Sequence, residues 1–140
     1  MKLTVIPLIS SKKDEKFRFY EELKKIFHNN KVKIENGDVI VISSKFISMS
    51  QGRVLNIDNS KVCEKAKQIS KKFNSNEKFM EIVFRESDNI LGGISGFVMS
   101  STDGILAPNA GIDKSNSKGT EIILYPIEPY KFAEELKRKI

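Results

Sequence analysis

Four β-branched apolar residues in a row, Val39-Ile40-Val41-Ile42, constrain this chain more than any other feature. A half-covered strand alternates apolar with polar residues, whereas an unbroken valine and isoleucine run suits a strand covered on both faces. The run follows a turn signal, Asn36-Gly37-Asp38, and ends in the polar corner Ser43-Ser44-Lys45. It is expected to be the most buried segment, with its serines at a strand end, where open α/β arrangements place their ligands.

The neighbouring segments supply covers for such a strand. Lys2–Ile9 reads as a first strand, with Pro7 restricting it to an end or an edge. Asp14–His28 spaces Phe17, Tyr20, Leu23 and Phe27 as one face of a helix. After a short strand at Val54–Ile57, Ser60 is expected to cap a helix over Lys61–Phe73, and Asn76 a third helix with Phe79, Met80, Val83 and Phe84 inward. Gly92, Gly93 and Gly96 are expected to break the chain. Phe97-Val98-Met99 and Ile105-Leu106-Ala107 flank the turn Thr102-Asp103-Gly104 as a hairpin, Ile122–Tyr125 is a further strand, and Glu128-Pro129 opens a terminal helix. The class is α+β, a mixed sheet with helices packed on it, in a single domain over residues 1–140.

Composition narrows the chemistry. With 39% hydrophobic and 30% charged residues the 140-residue chain is globular. Cys63 is the only cysteine and His28 the only histidine, which excludes an internal disulfide and any cysteine- or histidine-rich metal cluster. No apolar stretch approaches the ~20 residues a membrane-spanning helix needs, so a soluble, cytoplasmic protein with no membrane association is expected. The net charge of +6 favours an anionic partner, but only four residues, Arg18, Arg53, Arg85 and Arg138, are arginine. Lysine lacks the planar fork that reads phosphate and guanine bidentately, and no groove-reading motif is present, so nucleic acid is a poor match.

The densest polar cluster is Asn109-Ala110-Gly111-Ile112-Asp113-Lys114-Ser115-Asn116. A glycine-bearing loop turns N–H groups toward an anion, Asp113 offers a hard oxygen for Mg²⁺ or Mn²⁺, and Asn116 both donates and accepts. An ordinary turn loop uses the same residue types for conformational reasons. Ser43 and Ser44 make a second anion-friendly corner, and a strand that simply ends in serines would look alike. Arg85-Glu86-Ser87 reads as a surface pair at a helix end. Cys63 reads as a mid-helix residue among lysines, and His28 as a cation at a helix C-terminus. The glycine patterns of the P-loop and of the dinucleotide fingerprint are absent, as is the nucleophile elbow.

Taken in order, Glu35–Ser48, Gly52-Arg53, Phe84-Arg85-Glu86-Ser87 and above all Asn109–Asn116 resemble the coenzyme F420-0:L-glutamate ligase family. The resemblance implies GTP as co-substrate, Mg²⁺ or Mn²⁺, with K⁺ a further candidate cation, and amide formation between coenzyme F420-0 and L-glutamate through an acyl phosphate. It implies that Asp113 is a metal ligand and that Ser43, Ser44 and Asn116 contact the nucleotide; no catalytic residue is assigned. It also implies a homodimer or a second subunit.

The chain departs from the family pattern at two positions and in length. Met49 stands where the family carries a nucleotide-reaching lysine, with Lys12 and Lys45 as candidate substitutes, and Ile6-Pro7-Leu8 lacks the usual glycine. The family continues for about another hundred residues, roughly a small domain. An exposed apolar face and no ligation by the chain alone are therefore expected, and the competing reading is a partner-dependent or non-catalytic nucleotide-binding module.

Overall fold

The computed structural model describes residues 4–13, 15–114 and 119–140. Helix α1 (Phe19–Asn29) buries Phe19, Leu23 and Ile26, and its last turn carries His28 as expected. Helix α2 (Ser44–Gln51) follows the valine and isoleucine run, then strand β1 (Val54–Asn56) and helices α3 (Glu64–Lys72) and α4 (Glu77–Glu86). Asn76 caps α4 as its type predicts, its Oδ1 accepting from the Phe79 N–H at 3.0 Å. Strands β2 (Asn89–Ile94), β3 (Phe97–Thr102) and β4 (Ile105–Pro108) form an antiparallel meander, and β5 (Glu121–Ile123) pairs antiparallel with β1 before helix α5 (Pro129–Lys139). The class is α+β. Among the described residues no helix is long and apolar enough to cross a membrane.

Two apolar clusters organise these elements. One joins Phe73, Phe79, Met80, Val83, Val98, Ala110, Ile122 and Leu124, and so binds α4, the meander and β5 together. The other joins Phe19, Leu23 and Leu136, with Ile42, Phe46, Ile47 and Phe132 packed against it. Phe46 of α2 sits 4.7 Å from the Phe17 ring and 5.8 Å from Phe19, centroid to centroid. Helix α2 belongs to the second cluster and β5 to the first.

Several expectations need correction. The strands form two small antiparallel sheets rather than one mixed sheet. Residues 4–10 form no strand, and Val39–Ile42 forms none either. That run is not the most buried segment: Val39 and Val41 are 86% and 89% exposed, and only Ile40 and Ile42 are half-covered. The apolar content is that of a two-faced strand, but only one face has a neighbour. Gly92 and Gly93 do not break the chain; they lie inside β2, where the register shifts between Ile90 and Gly92. A Cβ on Gly93 would stand 2.3 Å from the Phe97 carbonyl oxygen, so glycine is there for close approach rather than termination.

Helix α3 starts at Glu64, and Cys63, not Ser60, occupies its N-cap. The reason is Glu81, a buried residue of α4 whose Oε2 accepts from the Cys63 N–H at 2.8 Å while Oε1 accepts from Arg85 Nε at 2.6 Å. Cys63 is thus exposed at a helix start and not mid-helix. The Cys63 N–H, then the Cys63 thiol and Arg85, hold the Glu81 carboxyl below its ordinary 4.5, against the opposing effect of burial. A depressed folded value stabilises the protein above the ordinary one, and the contribution is lost as pH falls through the lower folded value. Glu81→Gln should cost about 1–3 kcal/mol near neutral pH, the worth of hydrogen bonds to a charged group. Its stability difference from the parent in urea unfolding should shrink as pH drops below 4.5; a gap unchanged down to full protonation would refute the capping role.

Candidate functional site

Helix α2 begins where the apolar run ends. Ser43, at its N-cap, accepts from the Phe46 and Ile47 N–H groups through its carbonyl, and Gly52 ends the helix in the left-handed conformation at φ 75°. Such a C-terminal glycine was the signal in the sequence for a helix that strand periodicity alone did not show. Two further contacts fix the helix end. Gln51 makes a reciprocal pair with the Ile127 backbone, donating at 3.2 Å and accepting at 2.8 Å. Arg53 donates through Nε to the Tyr125 carbonyl at 3.1 Å and pairs with Glu86. Glu86 therefore holds β1 to the end of α4, a role the surface-pair reading of Arg85-Glu86-Ser87 missed.

Facing α2 is the loop after β4. Asn109, Ala110 and Gly111 all adopt positive φ, at 48°, 57° and 69°. For residues other than glycine this conformation costs about 1–3 kcal/mol each, so something must impose it. The Asn109 side chain accepts from the Val98 N–H at 3.0 Å, and the Ala110 N–H donates to the buried Ser100 Oγ at 2.9 Å. Ala110 itself is fully buried in the first cluster. The chain then turns out of the left-handed segment and Asp113 pairs with Ile123 in both directions, N–H to carbonyl at 2.8 Å and 3.0 Å.

This geometry brings Ser43, Ser44, Lys45 and Ser48 of α2 against Gly111, Asp113, Ile123 and Leu124 around a cavity of about 290 Å³. The Lys45 ammonium lies 3.0 Å from Asp113 Oδ2 in its lining. Of the residues expected at the site, Ser43, Ser44 and Asp113 are brought together; Asn116 lies outside the described residues. Lys45 lines the cavity and Lys12 does not. Ser48 lines it too, and nothing in the serine-rich corner distinguished it from the rest before its burial was known.

The donor set suits a hard divalent cation in one respect. Asp113 offers a carboxylate beside two hydroxyls, and Mg²⁺ is commonly held by one or two carboxylates together with substrate phosphates. Among the described residues no cluster of three carboxylate, histidine or cysteine side chains exists, so the protein oxygens seen here would hold such an ion only with help from a ligand.

Comparison with known proteins gives this pocket a context. The family model for F420-0:Gamma-glutamyl ligase matches residues 5–140. The chain belongs to that family. It is 32% identical over 112 residues to a coenzyme F420:L-glutamate ligase of Archaeoglobus fulgidus, covering 80% of this chain and 45% of that protein. It is 30% identical over 137 residues to one of Methanococcus maripaludis, covering 96% of this chain and 51% of that protein. The chain thus spans about half the length of the F420 ligases it matches.

The loop that sets Asp113 can be tested directly. A Cβ on Gly111 would stand 2.6 Å from the Tyr125 ring in a residue already at φ 69°, whereas Gly104, at φ 73°, has open space around it. Gly104→Ala should lose only the conformational cost, about 1–2 kcal/mol. Gly111→Ala should lose clearly more in urea unfolding, because the Tyr125 ring must also move. Equal losses would show that the loop is not packed as described.

Proposed function

We propose that this chain supplies the phosphate-binding and metal-binding part of a ligase that joins L-glutamate to coenzyme F420-0, using GTP and Mg²⁺ or Mn²⁺, with K⁺ as a further candidate ion. The observation that carries the reading is the meeting of Ser43, Ser44, Lys45 and Asp113 around one cavity in a member of this family. Two hydroxyls and the start of a helix offer hydrogen-bond donors to phosphate oxygens, and Lys45 offers positive charge beside them. Asp113 would hold the divalent ion, which when bound neutralises phosphate charge. In the proposed reaction a carboxylate oxygen of coenzyme F420-0 attacks the terminal phosphorus of GTP and GDP leaves. The glutamate amine then attacks the acyl carbon, losing a proton as inorganic phosphate departs and the amide forms. The side chains described here position phosphate; none of them is assigned to the second step.

A second reading, a module that works only with a partner, has its own support. Val5, Ile6 and Ile9 in one segment and Val39 and Val41 in another are exposed, and neither segment is paired as a strand. Exposed apolar chain without a partner strand is a template for association. The two readings are compatible: a homodimer or a second subunit would cover this surface while the cavity holds phosphate. The lone, exposed Cys63 and the family's biosynthetic role support a reducing, cytoplasmic setting.

Two measurements decide between outcomes. Calorimetry with GTP and Mn²⁺ should show Asp113→Ala weakening Mn²⁺-dependent binding at least tenfold, on the order of 1.4 kcal/mol; binding as tight as the parent's would remove Asp113 from the metal site, and equal binding of ATP would point to a generic nucleotide module. Sedimentation at tens of micromolar should show a dimer or larger species that Val39→Lys/Val41→Lys reduces to monomer. A strict monomer for the parent would sink the association.

A further inference from the structure

Five polar or charged side chains are buried among the described residues: Ser48, Ser50, Ser70, Glu81 and Ser100. Four of them are satisfied. Ser50 Oγ donates to the Ile47 carbonyl at 2.6 Å, Ser70 Oγ to the Ser75 carbonyl at 2.5 Å, and Ser100 Oγ to the Ala107 carbonyl at 3.2 Å while accepting from Ala110. Glu81 is bonded to Cys63 and Arg85. Ser48 is 1% exposed and its Oγ has no hydrogen-bond partner. The other buried orphan oxygen, on Tyr20, belongs to the aromatic cluster around Phe19 and Phe132 and does not line the cavity.

An orphan of this kind needs a reason. A serine inside a helix ordinarily returns its hydroxyl to a carbonyl three or four residues back, as Ser50 does here and as Ser87 does at the end of α4. Alanine at position 48 would avoid the unmet hydroxyl and would favour the helix more. Ser48 also lies four residues after Ser44, so the two share one face of α2, one above the other, and both line the cavity that holds the Lys45–Asp113 pair.

We infer that Ser48 is a further phosphate-binding residue, whose hydroxyl donates to a phosphate oxygen when the cavity is filled. Oγ is buried in the conformation described, and its residue lines the cavity, so the role requires a rotation about the Cα–Cβ bond that turns the hydroxyl toward it. The unmet bond is then a feature of the site rather than of the fold: it is completed by a ligand. This inference rests on the cavity being a nucleotide phosphate site. Ser48 acts in binding, and no bond is made or broken on it.

Calorimetry with Mg²⁺–GTP and with inorganic pyrophosphate, on the parent, Ser44→Ala, Ser48→Ala and Ser48→Cys, tests it together with thermal unfolding in the absence of ligand. Ser48→Ala should unfold at the parent's temperature or higher, yet bind both probes about tenfold more weakly, the loss expected for one hydrogen bond to a charged group. Ser48→Cys, nearly isosteric with a weaker donor, should fall between, and it carries the test if the alanine variant does not fold. Unchanged affinity in both Ser48 variants, while Ser44→Ala binds more weakly, overturns the role of Ser48 and leaves the phosphate site standing. Loss of folding stability with unchanged affinity likewise overturns it, showing that the hydroxyl serves the fold. Weaker GTP binding with unchanged pyrophosphate binding overturns the phosphate contact. A parent that binds neither probe overturns the phosphate site and the Ser48 role together.

Discussion

The two-way backbone pairing of Asp113 with Ile123 is the joint on which this structure turns. Ile123 is in β5, which pairs with β1 from Val54 opposite Ile123 to Asn56 opposite Glu121. The next residue, Leu124, donates to the Arg53 carbonyl at 2.9 Å, and the Arg53 side chain reaches the Tyr125 carbonyl and Glu86. Loop, strand, the chain following α2 and the end of α4 therefore meet within a few residues of β5. A carboxylate whose own backbone is clamped on both sides has a fixed origin, and the helix that faces it is fixed by the same strand.

Magnitudes show which contacts hold the site and which are there for its use. The left-handed conformations at Asn109 and Ala110 cost about 1–3 kcal/mol each. The Lys45–Asp113 pair is partly solvated on both sides, and a pair of that kind returns about 0–1 kcal/mol. It does not offset the loop's strain. The strain is met instead by a part-buried bond from Val98 to Asn109, a buried one from Ala110 to Ser100, and burial of Ala110 in the first cluster. The ion pair is consequently a weak contact between strongly positioned groups, which is the arrangement a ligand phosphate or cation can enter at little structural cost.

Where local chemistry decided the structure, the sequence was readable. Asn76 caps α4, Asp103-Gly104 turns the β3–β4 hairpin with both residues at positive φ, and Pro129 opens α5. Where packing or a partner outside the local pattern decided it, the reading failed. The start of α3 is set by Glu81, seventeen residues after Glu64, and glycine at position 93 of β2 answers to the β3 backbone, which passes too close there for a side chain. The site shows the same division. That Asp113, Ser43 and Ser44 carry polar groups of interest was legible by type and motif, and they line one cavity, while the places of Ser48 and the Arg53–Glu86 pair depend on burial and on partners far along the chain.

The failure at Val39–Ile42 has a different origin and says more about the protein. Composition there is written for a strand with two covered faces, and the structure covers one: Ile42 packs on the second cluster, whereas Val39 and Val41 are exposed. Burying a valine fully is worth about 1.5–3 kcal/mol relative to leaving it exposed, so these two residues alone leave several kcal/mol unrealised. Residues 4–9 repeat the pattern with Val5, Ile6 and Ile9. This unrealised burial is not scattered over the surface: one of the two stretches runs directly into Ser43 and the start of α2. Whatever covers Val39 and Val41 would therefore also order the backbone that leads into the Ser43 end of the cavity, and association and the shape of the cavity would be linked through a single short length of chain.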